Sequence, residues 1–185
     1  DPDLVAFRKW TEQYLSVSLE RQGRILKEGV TLAEARSRVL DELIAKSPRD
    51  AINCSIPYSI RTQMPPEIIT YLEHRIEGVG DLVVMAITGL PKQQSLAPPV
   101  IRVLQIDGQS YQASVYGKRR FQGSLKNVPV HGVALNGTVA LSESSIRLLE
   151  PGEMPEVSSE IVQLDCGQAY NGGVGPTELV LGGKK

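Results

Sequence analysis

The sequence predicts an α+β fold in which three or four N-terminal helices pack on a small antiparallel β-barrel or sandwich of about six strands. Apolar residues recur at helical spacing before the glycines at 78 and 80, whereas short alternating strands joined by Asp-Gly and Asn-Gly turns follow them. The 185 residues, 41% of them hydrophobic, can bury an ordinary core. We expect a helical part (1–77), a β part (78–150) and an acidic linker with a short β arm (151–185) to form one cooperative unit, since short helices need the strands to bury their apolar faces.

The first predicted helix covers residues 4–27. Phe7, Trp10, Tyr14 and Val17 follow one another at steps of three or four, which places them on one face of a helix. Such a stripe is typical of a face that packs on a core, so we interpret it that way rather than as a ligand platform. The glycine at position 29 is predicted to end this helix.

Helix start signals divide the rest of the helical part. Residues 31–34 have the spacing of a capping box, which predicts the start of a second helix at Thr31. Ser47 followed by Pro48 predicts a short third helix that ends near residue 55. Pro66 predicts a last helix, with four apolar positions: Ile68, Ile69, Leu72 and Ile76.

The β part contains two strong hairpin signals. Asp107-Gly108 and Asn136-Gly137 lie between alternating apolar runs, as two-residue hairpin turns do. The predicted strands are 81–88, 100–106, 109–116, 130–135, 138–141 and 146–149, with a loop over 89–99 and weaker strands over 160–166 and 177–181. We favour a closed barrel because closure removes exposed strand edges.

Charge and hydropathy limit the classes of partner. Twenty basic and 21 acidic side chains give a net charge of −1, so no global field attracts nucleic acid or an anionic membrane. No run approaches the roughly 18 apolar residues of a membrane helix. The ends, Asp1-Pro2-Asp3 and Gly182-Gly183-Lys184-Lys185, are those expected of a piece excised from a longer chain. The expected partner is therefore an adjacent domain of the same polypeptide or another protein.

Catalytic and metal-binding patterns are weak. A Cys/His hydrolase built on Cys166 and His131 is a remote alternative, because no recognised nucleophile motif surrounds the cysteine. A zinc site would need three or four Cys/His ligands in paired spacing, and the two cysteines and two histidines are widely separated. Glu150, Glu153 and Glu156 lack the spacing of a calcium loop and are interpreted as a solvated acidic linker. We predict no catalytic residue, metal or cofactor.

The two cysteines, Cys54 and Cys166, lie in opposite halves of the chain. They could form a disulfide across the halves in an oxidising compartment, whereas elsewhere they would remain buried thiols. Their spacing leaves both alternatives open.

Positive charge is concentrated locally in residues 116–126. Cations interleaved with aromatic rings can hold a phosphate backbone and stack bases, which makes a nucleic-acid-binding β-barrel the alternative function. A cationic loop is more often simply solvated. The candidate binding residues are Tyr116, Lys118, Arg119, Arg120, Phe121 and Lys126.

Three segments carry a resemblance to a known kind of module. Residues 64–82, 111–119 and 129–153, which include Met64-Pro65-Pro66-Glu67 and Pro129-Val130-His131-Gly132, resemble a propeptide-like N-terminal module of large secreted bacterial multidomain proteins. The resemblance contains no catalytic motif. It implies a non-enzymatic pro-region or interaction and scaffold domain that lies ahead of other domains, in an extracellular or periplasmic location.

Overall fold

The computed structural model describes residues 1–86 and 100–153, together with the backbone of three short strands nearer the C-terminus. Within this part, five helices precede the barrel: α1 (Pro2–Ser16), α2 (Leu19–Lys46), α3 (Pro48–Asn53), α4 (Tyr58–Arg61) and α5 (Pro66–Ile69). The strands are β1 (His74–Ala86), β2 (Val100–Ile106), β3 (Gln109–Val115), β4 (Leu125–Leu135), β5 (Thr138–Leu141), β6 (Ile146–Leu148), β7 (Val162–Gln163), β8 (Ala169–Tyr170) and β9 (Leu179–Leu181). A 3₁₀ turn (Gly117–Phe121) connects β3 to β4.

The first two helix boundaries differ from the prediction. Helix α1 ends at Ser16 because Val17 adopts an extended conformation, and α2 then runs without interruption through residue 31. The predicted capping box is wrong, since the Thr31 hydroxyl donates within the helix to the Lys27 carbonyl, at 3.3 Å. The described residues also form a helix that was not predicted, α4, so five helices replace the expected three or four.

Gly29 is a point of helix contact rather than a helix end. A methyl group at this position would overlap the indole ring of Trp10, which packs from α1. The indole nitrogen donates to the Ile25 carbonyl one turn earlier in α2, at 3.1 Å. The predicted aromatic stripe is buried here, because Phe7, Trp10 and Tyr14 all belong to the helical core.

The later helices are close to the prediction at their starts and shorter at their ends. Helix α3 begins at Pro48, as expected, although the Ser47 side chain makes no capping hydrogen bond. Helix α5 begins at Pro66 but stops at Ile69, and Ile76 belongs to β1. Strand β1 therefore begins before the glycines at 78 and 80, which lie inside it. None of the described helices is long and apolar enough to cross a membrane.

Five strands close into a barrel in the order β1, β2, β3, β5, β4, with β4 returning to β1. Both predicted hairpins are confirmed, and their turn residues Asp107, Gly108, Asn136 and Gly137 all have positive φ, as type I′ turns require. The barrel is not wholly antiparallel, because β5 inserts beside β3 and pairs with it in parallel. This Greek-key order is that of the five-stranded OB barrel.

Three apolar clusters build the core of the described part of the chain. The first fills the barrel and the second lies among the helices. The third joins the two parts, since residues of α2 and α3 pack on outward-facing residues of β4 and β5: Leu40, Ile44, Ala51, Val133, Leu135 and Ala140. The helices therefore brace one side of the barrel.

The C-terminal part is described only in short pieces. Strand β6 pairs with β9, and β7 pairs with β8, both antiparallel. Strands β7 and β9 fall within the predicted strands 160–166 and 177–181. The predicted loop 89–99 and the acidic linker beyond residue 153 lie outside the described residues.

Candidate interaction surfaces

The outer face of the barrel is covered unevenly. Helices α2 and α3 cover β4 and β5 through the third apolar cluster. The Thr138 hydroxyl, on the outer face of β5, donates to the Asp41 carboxylate of α2 at 3.1 Å. This side of the barrel is therefore occupied by the protein's own helices.

A second region of the outer face is covered by residues 146–153, which we call the latch. Arg147 donates from Nε to Glu77 of β1 at 2.8 Å and from Nη1 to Glu153 at 2.7 Å. The Glu150 carboxylate accepts from the Arg75 guanidinium and from the Tyr58 backbone N–H at the start of α4. Charged groups thus hold the latch against β1 and the helical part.

This arrangement corrects the reading of the acidic linker. Glu150 and Glu153 are partly buried, and each forms an ion pair with an arginine. The hydrogen bonds to Arg147 hold the pKa of Glu153 below its ordinary value, and they raise the pKa of Arg147. Glu156 lies outside the described residues.

Among the described residues, neither the helices nor the latch cover the outer face of β1 and β2, which carries apolar side chains together with Asp81 and Gln105. Val83 faces Val103 and Met85 faces Ile101 in the strand register, and Val79 continues the same face along β1. We call these five residues the open wall. Val79, Met85 and Ile101 remain 41, 46 and 36% exposed. Exposed apolar side chains that lie side by side, as Met85 and Ile101 do, make this face a candidate interaction surface.

The predicted basic and aromatic residues lie in and beside the 3₁₀ turn, but they are not equally accessible. Lys118, Arg120 and Lys126 are exposed, and Phe121 is 91% exposed. Tyr116 is half-buried, with the guanidinium of Arg49 5.6 Å from its ring centroid. The turn therefore presents one free aromatic ring beside cations.

Arg119 stabilises this turn and does not point into solvent. Its side chain is buried and donates to the carbonyls of Ser142 and Pro129 and to the Ser145 hydroxyl. Burial lowers the pKa of its guanidinium, yet three oxygen atoms accept hydrogen bonds from this group. Arg119 consequently anchors the turn and does not present its charge to a ligand.

The two histidines lie apart on β1 and β4. His74 has its Nε2 atom 3.5 Å from the Tyr111 hydroxyl, and its pKa is lowered, mainly by burial and then by Arg61. His131 faces outward beside Glu77, and burial is the main reason that its pKa is lowered as well. The Nε2 atom of His131 is buried and has no hydrogen-bond partner among the described residues.

The residues considered for chemistry are not brought together among the described residues. Cys54 is half-buried and packs against the third cluster, whereas Cys166 lies outside the described residues. The disulfide between them and the Cys166–His131 hydrolase site therefore remain predictions. Residues 1–86 and 100–153 hold no group of three or more His, Cys, Asp or Glu side chains arranged for a metal ion.

Sequence reasoning missed both the open wall and the latch. One signal for the wall was present, since residues 82–85 are apolar at successive positions and so place apolar side chains on both faces of a strand. The latch had no local signal, because Arg147 and Glu77 are 70 positions apart. Comparisons of the chain with family models, with curated proteins and with solved structures found no match.

Proposed function

We propose that this chain is a non-catalytic interaction module whose open wall packs against a neighbouring protein domain. The observation that carries the proposal is the pair of apolar cross-strand contacts, Val83 with Val103 and Met85 with Ile101, on a barrel face that neither helices nor latch cover among the described residues. Burying this surface against a partner would remove apolar area from water, which is the main driving force of protein association.

The chemistry of the wall favours a protein as the occupant. Its five side chains are uncharged and apolar, so they offer nothing to a phosphate backbone. The wall follows the two-residue period of its strands, which suits packing against a second sheet or an amphipathic helix. A pro-region or scaffold domain would use such a surface to hold its neighbour.

The resemblance to propeptide-like modules supports the same role. On this proposal the module works in a secreted bacterial protein, in an extracellular or periplasmic compartment, where Cys54 and Cys166 would meet oxidising conditions. Intact-mass measurement with and without reductant, on protein isolated from its native host, tests the compartment. A disulfide-linked chain supports it, and two free thiols contradict it.

Site-specific photo-crosslinking in the native host tests the open wall. A benzophenone amino acid replaces Met85 in one variant and Leu19, which is exposed on α2, in a control variant. We expect crosslinks to a protein partner from position 85 and not from position 19. Crosslinks between two copies would show that the wall is a self-association surface, and equal yields at the two positions would exclude the wall as a docking site.

A substitution in the open wall should abolish binding of the partner. Met85→Asp places a charge on an already exposed position, so the free energy of unfolding should change by less than about 0.5 kcal/mol. In this variant, a benzophenone amino acid at position 101 should no longer crosslink to the partner. The reason is that a charge cannot be buried in an apolar contact without a large desolvation cost. Retention of the partner would contradict the proposal.

A second candidate function rests on Phe121. This ring is almost fully exposed on a turn that Arg119 anchors, and the exposed cations Lys118 and Arg120 lie on either side of that anchor. An exposed ring beside cations can stack a base while the cations contact phosphates. The Greek-key barrel supports single-stranded nucleic acid as the ligand only by analogy of fold.

Fluorescence anisotropy with labelled single-stranded DNA and RNA of about 15 nucleotides tests this candidate. Binding should weaken steeply between about 50 and about 200 mM salt, because phosphate contacts release counterions. Phe121→Ala and Arg120→Gln should each weaken binding, whereas Leu19→Ala should not. Absence of binding at low salt, or equal binding by all variants, would exclude nucleic acid.

A further inference from the structure

Acidic residues are almost absent from the part of the sequence that forms most of the barrel. Between Asp81 and Glu143 there is one acidic residue, Asp107, in the turn between β2 and β3. The same stretch has six basic residues: Lys92, Arg102, Lys118, Arg119, Arg120 and Lys126. The net charge of the whole chain is −1, so the barrel is locally basic in a protein that is nearly neutral overall.

The 3₁₀ turn is attached to one end of the open wall. The guanidinium of Arg102 on β2 donates to the Arg120 carbonyl of the turn, at 2.7 Å. Because Arg102 directly follows Ile101 of the wall, the exposed residue Arg120 lies near this end of it. Neither arginine forms an ion pair within residues 1–86 and 100–153.

Lys126 adds a cation along the side of the wall. A bulge in the pairing of β1 with β4 sets Lys126 and Asn127 opposite Asp81, which shares the outer face with the wall. The Asp81 carboxylate accepts from the Asn127 backbone N–H at 2.8 Å. Lys126 is exposed and forms no ion pair with another described residue. We call Arg102, Arg120 and Lys126 the basic rim.

The dimensions of the open wall match one helix. The wall is two neighbouring strands wide, which is about 10 Å, and it extends from Val79 to Met85, which is about 20 Å along a strand. A helix is about 10 Å across, and four of its turns cover about 20 Å. An amphipathic helix laid along the wall would bury its apolar stripe there and hold its polar flanks beside the basic rim.

We infer that the element of the partner protein that covers the open wall is an acidic amphipathic helix. Its apolar stripe packs on the wall, and its carboxylates meet the basic rim. The inference rests on the proposed function, because it names the chemistry of the partner for the same surface. The apolar contact supplies most of the affinity, whereas the opposite charges orient the helix and exclude a basic one.

Three synthetic peptides of about 14 residues test the inference by fluorescence anisotropy with the whole chain. The first has leucines at helical spacing and glutamates elsewhere, the second has lysines in place of the glutamates, and the third has glutamines in place of the leucines. The leucine–glutamate peptide should bind at least about tenfold more tightly than either of the others. Absence of its binding, or equal binding of either other peptide, would overturn the inference.

A double charge reversal gives the matched variants. Arg120→Glu with Lys126→Glu should weaken binding of the leucine–glutamate peptide about tenfold and strengthen binding of the leucine–lysine peptide, because the rim becomes acidic. Lys9→Glu with Lys27→Glu, at exposed positions of α1 and α2, changes the net charge equally. This control should alter either affinity by less than about twofold, since distant charges are screened. Equal effects of the two double variants would overturn the inference.

An uncharged change in the wall separates this inference from the proposed function. Met85→Gln with Ile101→Gln should weaken binding of the leucine–glutamate peptide, and unchanged binding would contradict both proposals. If both leucine peptides bind equally to the wild type and both are lost in this variant, the wall remains a docking site and the acidic helix is overturned. Tighter binding of an oligothymidylate of about 15 nucleotides than of the leucine–glutamate peptide would also overturn it, in favour of nucleic acid.

Discussion

The guanidinium of Arg36 donates to both carboxylate oxygens of Glu73, at 2.6 and 3.1 Å, and these side chains are 2 and 0% exposed. Glu73 also accepts from the backbone N–H of Ile56, at 2.6 Å, and Arg36 donates to the carbonyl of Cys54, at 2.9 Å. This pair joins the middle of α2 to the residue just before β1. It therefore fixes where the helical part meets the barrel.

We predict that Glu73→Gln destabilises the protein by about 3–5 kcal/mol, because it leaves the Arg36 charge buried without a counterion. The matched control is Glu34→Gln, which breaks an exposed ion pair with Arg38 on the same helix and should cost less than about 1 kcal/mol. Urea unfolding measures both values. Similar losses in the two variants would contradict the structural role of the pair.

The contact between Gly29 and Trp10 gives a second prediction. Gly29→Ala should destabilise the protein by about 1–3 kcal/mol, since the added methyl group overlaps the indole ring. Gly23→Ala, in the same helix and with open space around it, should instead stabilise by about 0.5–1 kcal/mol. Thermal unfolding compares the two, and a shift of the same sign in both would show that α1 and α2 do not pack closely at Trp10.

A third prediction concerns the anchor of the 3₁₀ turn. Arg119→Lys should destabilise by about 1–3 kcal/mol, because an ammonium cannot reach the Ser142 carbonyl, the Pro129 carbonyl and the Ser145 hydroxyl together. Arg120→Lys, at the next and exposed position, should change stability by less than about 0.5 kcal/mol. Chemical denaturation measures the difference, and equal values would contradict the assignment of Arg119 as an anchor.

The fourth prediction is a loss of stability in mild acid. The pKa values of His74 and His131 are lowered from 6.5 in the folded protein, so the unfolded chain binds more protons in this range. Their contribution to stability is complete above pH 6.5 and is lost as pH falls from there towards the folded pKa values.

Urea unfolding at about pH 7.5 and at about pH 5.5 measures this loss. His74→Gln should retain part of the pH dependence, and the double variant with His131→Gln should lose most of it. The prediction fails if the double variant has the same pH dependence as the wild type.

The sequence pattern was sufficient to predict the structure wherever neighbouring residues determine it. The two hairpins follow from Asp107-Gly108 and Asn136-Gly137, since only residues that tolerate positive φ fit such turns. The pattern gave a wrong prediction at Gly29, which was expected to end a helix. Glycine disfavours helices, yet this glycine lies in the middle of one. The packing of Trp10 from another helix outweighs the local propensity there.

The candidate site was predictable only in part, because contacts between distant segments have no signal in the local sequence. The basic residues of the 3₁₀ turn are visible in the sequence, but nothing local distinguishes buried Arg119 from exposed Arg120. The distinction comes from acceptors on β4 and in residues 142–145, which are distant in the sequence.

The sequence by itself determined that helices precede strands, and it determined the two tight turns and the apolar faces, because each depends on residues within a few positions of one another. The tertiary structure alone decided that β5 pairs in parallel with β3, that the latch covers Glu77 and that, among the described residues, the open wall lies outside the helices and the latch. These features depend on contacts between distant segments, whose free energies no local pattern encodes.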